Sequence, residues 1–133
     1  GAGAALAMQR ALARAGLAAT DIDYINLHAT ASAANDAMET AAVQTVFGNR
    51  AMMSGTKGWT GHTLGAAGIV EAAISVICLQ DGLVPGCLNT TTRDPALPGE
   101  IVLDNFDQPL RRVLSNSFGF GGTNASLVFG RVA

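Results

Sequence analysis

His28, Lys57, His62 and Glu71 stand among small and apolar residues, the first in "NLHATAS" and the other three in "TKGWTGHTLGAAGIVEAA". Polar and charged groups in such surroundings must be given partners, because burying them alone is costly. His28 ends a strand-like run, where a rigid sheet hands a side chain to a loop; a hydrogen-bonded core histidine is the bland reading of the same position. His62 follows Gly61 at the head of a helical run, where neighbouring backbone N–H groups favour a neutral imidazole able to donate a hydrogen bond. Lys57 and Glu71 pair either with each other or with separate groups. Glu39, with Asp36, lies in another helical run: it faces solvent, or it faces inward, where Glu39, Glu71 and backbone carbonyls form a cation site.

Other chemistries find less support. Cys78 sits inside an apolar helix and Cys87 follows "VPG", so both read as small buried hydrophobes, and neither lies beside a base as nucleophilic catalysis requires. His62 and Glu71 lack the HExxH spacing of a catalytic zinc site. The turn "GFGGTN" is an incomplete dinucleotide fingerprint and leads into a strand instead of a helix. Its glycines let backbone N–H groups approach a developing negative charge, with Phe118 and Phe120 as walls; a tight hairpin with two core phenylalanines is the alternative.

The elements that must carry these residues alternate along the chain. "AALAMQRALARA" has Leu6, Met8, Leu12 and Ala15 near helical spacing, with Arg10 and Arg14 opposite and Gly16 as the stop. "IDYINLHA" predicts a strand, and "SAANDAMETAAVQTVFG" a helix capped by Ser32 or Asn35. "RAMMSGTK" predicts a second strand, followed by a buried, nearly all-apolar helix from about Thr63 to Gln80 that ends at "DG". "LVPGCLNTTTRDPALPGE" predicts an extended crossing, and "RRVLSNSFGF" and "NASLVFGRVA" predict a terminal hairpin. The sum is an α/β domain of about five strands and three helices.

Bulk properties bound the function. The 133 residues are 49% hydrophobic and 14% charged, with a formal net charge of -2, so a packed core is expected and disorder is excluded. No basic cluster points to nucleic acid or an anionic membrane. The run Leu64 to Leu79, interrupted by Glu71 and Ser75, is read as short of a membrane span, and the N-terminus lacks signal-peptide regions. A soluble cytoplasmic protein is the expectation, and the start at "GAGAAL" without methionine suggests a fragment.

Taken together, "YINLHATASAANDAMET", "GTKGWTGHTLGAAGIVEA" and "LSNSFGFGGTNASLVF" resemble, over essentially the whole chain, the C-terminal half of beta-ketoacyl-acyl-carrier-protein synthases. These are condensing enzymes of the thiolase-like superfamily. The resemblance implies a thiolase-like half with a five-stranded mixed sheet layered with helices, usually assembled as a homodimer. It implies an acyltransferase that condenses malonyl-carrier protein with an acyl thioester in fatty acid, polyene or polyketide synthesis. By resemblance His28 and His62 donate hydrogen bonds to the malonyl thioester during decarboxylation, Lys57 supports them, and the Phe120 backbone N–H serves an oxyanion hole beside Phe118. Thr30 and Ser32 match contacts to the phosphopantetheine arm, which the acyl carrier protein brings as part of the substrate. Asn26, Glu39, Glu71, Ser115 and Asn116 match positions that hold a structural monovalent cation in some members.

Three departures from the family pattern follow. The nucleophilic cysteine belongs to an N-terminal half absent from residues 1–133, so this chain alone is expected to be inactive. Ala29 replaces the usual glycine after the first histidine, and Ser32 replaces the second threonine. A noncatalytic, chain-length-factor-like or truncated partner subunit is the alternative reading.

Overall fold

A computed structural model describes residues 1–132. Helix α1 (Ala2–Ala15) buries Ala4, Ala5, Met8 and Leu12, and Gly16 ends it in the left-handed conformation at φ 66°. Its inward stripe therefore steps one turn at a time from Ala4 to Met8 and Leu12, with Ala5 beside it, and Leu6, expected on that stripe, is exposed. Strand β1 (Tyr24–Leu27) is buried throughout and leads to helix α2 (Ala33–Phe47). Strand β2 (Met52–Gly55) follows, then the single turn α3 (Lys57–Thr60) and helix α4 (Ala67–Asp81), closed by left-handed Gly82. The long helix expected from Thr63 starts later, because a 3-10 turn over Leu64–Ala66 precedes it.

The crossing segment and the residues just after it form three two-residue strands that the prolines and short apolar runs do not announce: β3 (Leu83–Val84), β4 (Glu100–Ile101) and β5 (Phe106–Asp107). The expected hairpin is present as β6 (Arg112–Phe118) and β7 (Asn124–Gly130), paired antiparallel; Ala133, the end of the expected second strand, lies outside the described residues. One sheet has the order β4-β2-β1-β6-β7, parallel except for β7, and β3 and β5 form a separate pair.

Helices cover both faces of this mixed sheet. On one, α1 and α2 pack with Ile25, Leu27, Met53, Leu114 and Phe118; on the other, Cys78 and Leu79 of α4 pack with Tyr24, Val84, Val102 and Val113. The strand period of two sends alternate residues to the two cores. Leu64–Asp81 has the length and apolar composition of a membrane span, yet α4 lays one face on the sheet and buries Glu71. Its other face is not buried: Ile69 and Ile77 are 71% and 49% exposed.

Candidate functional site

The site forms at the ends of the two central parallel strands, β1 and β2, where Leu27 lies opposite Gly55. His28, just past β1, is buried. Its backbone N–H and that of Ala29 donate to the two carboxylate oxygens of Glu39 at 2.7 and 2.8 Å, and Asn116 Nδ2 adds a third bond at 3.3 Å. Glu39 thus faces inward and ties the strand end to α2. Burial pushes its carboxyl up to about 7, outweighing the three donors that favour the charged form.

Lys57 opens the turn after β2. Its ammonium donates to Glu71 Oε1 at 2.5 Å, to the His28 carbonyl at 2.5 Å and to His28 Nδ1 at 3.3 Å. Each of the three ammonium hydrogens has an acceptor, and Lys57 and Glu71 pair with each other across side chains 7% and 1% exposed. Burial raises the Glu71 carboxyl above its ordinary value while Lys57 pulls it back. Burial also brings the His28 imidazole down to about 4, with the Lys57 and His62 charges acting in the same direction.

His62 lies in the exposed loop between α3 and the 3-10 turn. Its Nδ1 accepts the Leu64 backbone N–H at 3.1 Å, and Leu64 itself sits at φ 52°. The His62 ring stands edge-on to His28 at 5.5 Å, and Phe118 packs on His28 from 5.9 Å. Since Nδ1 of each histidine accepts a hydrogen bond, the hydrogen of each neutral ring is assigned to Nε2. The two imidazoles therefore offer two N–H donors, and neither has a free Nδ1 to act as a base.

The remaining expected residues divide. Thr30 and Ser32 are within hydrogen-bond reach at 3.2 Å, and Ser32 also caps α2 by accepting the Asn35 N–H. Phe120 is 99% exposed on the glycine turn and stands apart from the histidine cluster, whereas Phe118 is buried against it. Leu64, which orients His62, went unread in the sequence because its contribution is a backbone group in a strained conformation. That strain recurs at Ala29 and Ala31, with φ of 38° and 66°.

The five residues matched to a cation site lie on both faces of the sheet. Asn116 and Glu39 belong to the α1/α2 side, where Asn116 Oδ1 accepts from Ser126 and its Nδ2 reaches Met8 and Glu39. Asn26 and Ser115 are register partners on the α4 side, which also receives Glu71. Asn26 Oδ1 and Ser115 Oγ are buried with no hydrogen-bond partner among the described residues. Two orphaned oxygens and a carboxylate on one face fit a hard cation's preference for oxygen ligands, whereas the side chains of Glu39 and Asn116 lie on the other face.

Residues 1–91 match the family model described as the C-terminal domain of beta-ketoacyl synthase. The chain belongs to the beta-ketoacyl synthase family. This synthase domain is 46% identical to a mitochondrial 3-oxoacyl-[acyl-carrier-protein] synthase of Arabidopsis thaliana, across 99% of the chain and 30% of that enzyme. It superposes on a beta-ketoacyl synthase from Burkholderia phymatum with a TM-score of 0.93 and 38% identity, over 99% of this chain and 33% of the other. A ketosynthase from Xenorhabdus doucetiae, solved in complex with its chain length factor, matches with a TM-score of 0.88 and 41% identity, over 97% and 33%. The synthase domain thus spans about a third of the length of the relatives it matches.

Proposed function

We propose that this domain supplies the decarboxylation half of a beta-ketoacyl-acyl-carrier-protein synthase site. The observation that carries the reading is the Lys57 ammonium bound at once to Glu71, the His28 carbonyl and His28 Nδ1, beside the edge-on His62 ring. His28 and His62 donate their Nε2–H groups to the thioester oxygen of a malonyl group. The bond from the α-carbon to the carboxylate breaks, carbon dioxide leaves, and the electron pair passes into an enolate whose negative oxygen the two donors hold. The enolate carbon then attacks an acyl thioester, the new carbon–carbon bond forms, and a thiolate departs. That thiolate is a cysteine outside this chain, since Cys78 lies in apolar packing, the half-buried Cys87 accepts the Gly55 N–H, and burial raises both thiols above their ordinary range.

The hydroxyls of half-buried Thr30 and exposed Ser32 meet the phosphopantetheine arm carried by the acyl carrier protein, and Phe120 lends its backbone N–H to the acyl oxyanion. Asn26, Ser115 and Glu71 would hold a structural monovalent cation, which would satisfy the two orphaned oxygens and take no part in bond making; Glu39 and Asn116 instead fasten the loop after β1. The apolar outer face of α4, with Ile69 and Ile77, packs on the remainder of a longer enzyme.

The test is malonyl-carrier-protein decarboxylation by the complete enzyme bearing His62→Ala. Loss of one oxyanion donor lowers the rate by on the order of 100- to 1000-fold. Undiminished decarboxylation would remove His62 from the reaction, and an unmodified enzyme that does not decarboxylate would leave a noncatalytic partner subunit as the better account.

A further inference from the structure

Ala29 and Gly55 are inverted relative to what their backbones prefer. Ala29 sits at φ 38°, the left-handed region that favours glycine, while Gly55 has no positive φ to explain it. The space between them explains both. A methyl group built on Gly55 would lie 2.5 Å from the Ala29 methyl carbon, so only one of the two positions can carry a side chain. The chain has put it at position 29 despite the backbone cost there.

Both residues are held from behind. The Ala29 N–H is fastened to Glu39, and the Gly55 N–H lies 3.5 Å from the Cys87 sulfur. His28 immediately precedes Ala29, and Lys57 follows Gly55 by two residues. We propose that Ala29 and Gly55 are matched positioning residues: the methyl group at 29, seated on the bare Cα at 55, sets the separation between the segments that carry His28 and Lys57. The functional side of this assignment rests on the decarboxylation site described above; its geometric side does not.

The test compares the complete enzyme with Gly55→Ala, Ala29→Gly and the double variant. Thermal melting, malonyl decarboxylation and NMR titration of the His28 imidazole are measured on each. The titratable groups facing His28 are Lys57 and His62, with Glu71 behind Lys57. Gly55→Ala lowers the melting temperature, and Ala29→Gly in the same chain restores it, because the methyl has only changed strands. Ala29→Gly alone keeps or raises the melting temperature, since backbone strain is relieved, but lowers the decarboxylation rate by on the order of 10- to 100-fold. Its His28 titration moves upward as the Lys57 charge loses its fixed distance.

A double variant no better folded than Gly55→Ala overturns the pairing. Should Gly55→Ala fail to fold, Ala29→Gly decides alone: an unchanged His28 titration and rate overturn the positioning role. An unmodified enzyme without decarboxylation would refute the proposed function, while melting and titration would still judge the pair.

Discussion

Replacing Lys57 by methionine keeps most of the side chain's unbranched stem and removes its charge, which isolates what the ammonium does. Glu71, 1% exposed, is then a buried carboxylate without its cation. Breaking one side of a buried pair costs about 3–5 kcal/mol, which for a protein domain lowers the melting temperature by on the order of 10 °C. The same change withdraws a donor from the His28 carbonyl and from His28 Nδ1. His28, held near 4 by burial first and Lys57 second, then titrates higher, and its Nε2–H assignment is no longer enforced. Lys57→Met and the double variant Lys57→Met/Glu71→Gln are compared by thermal and urea unfolding and by NMR titration of His28. The double variant recovers much of the lost stability, because no unpaired charge remains, but not the His28 titration. A Lys57→Met protein that melts with the parent and titrates like it would refute the buried link on which the site is built.

Further outcomes follow from other contacts. Because the Glu39 carboxyl rises to about 7 on folding from an ordinary 4.5, its contribution to stability is fully present below about 4.5 and is lost as pH rises through 7. Glu39→Gln removes that slope, which urea unfolding between pH 4 and 8 reads directly; a slope unchanged in the variant assigns the pH dependence elsewhere. His28 runs the opposite way: its contribution is present above 6.5 and lost as pH falls toward 4, so His28→Asn flattens the acid side of the same curve. If Asn26, Ser115 and Glu71 hold a cation, potassium or sodium stabilises the fold by about 2.7 kcal/mol at one hundred times the dissociation constant and raises the melting temperature where tetramethylammonium does not; equal melting in all three salts rejects the site. Ser32→Ala removes the α2 cap seen at Asn35 and costs about 1 kcal/mol, measurable by urea midpoint; no change would mean that the cap is dispensable.

The parts of this fold legible in the sequence are those whose signals are local. Gly16 and Gly82 stop their helices in left-handed conformations, Ser32 caps α2, and "GFGGTN" joins two strands. The strands β3, β4 and β5 were not legible, since two residues are too few for a period of two to register and their partners lie far along the chain. At the site, residue types identified His28, Lys57, His62 and Glu71, and the apolar run around Glu71 argued for a partner. That Glu39 grips two backbone N–H groups was beyond reach, because neither group has a sequence signature. The split of the expected cation ligands was within reach: Ser115 and Asn116 are adjacent in a strand, and adjacent residues cannot share a face.

The central position of β1 bears on how this chain is made as well as how it works. Its partner β6 begins at Arg112, and Asp23 accepts the backbone N–H groups of Arg111 and Arg112 across 88 and 89 residues. At the ordinary pace of synthesis, one edge of β1 waits on the order of 10 s for that partner to emerge. During the wait, "YINL" is an unpaired apolar edge beside β2, open to the wrong strand. The site at its tip therefore cannot close until the C-terminal hairpin arrives, and a nascent chain stalled short of residue 112 is the form most in need of a chaperone.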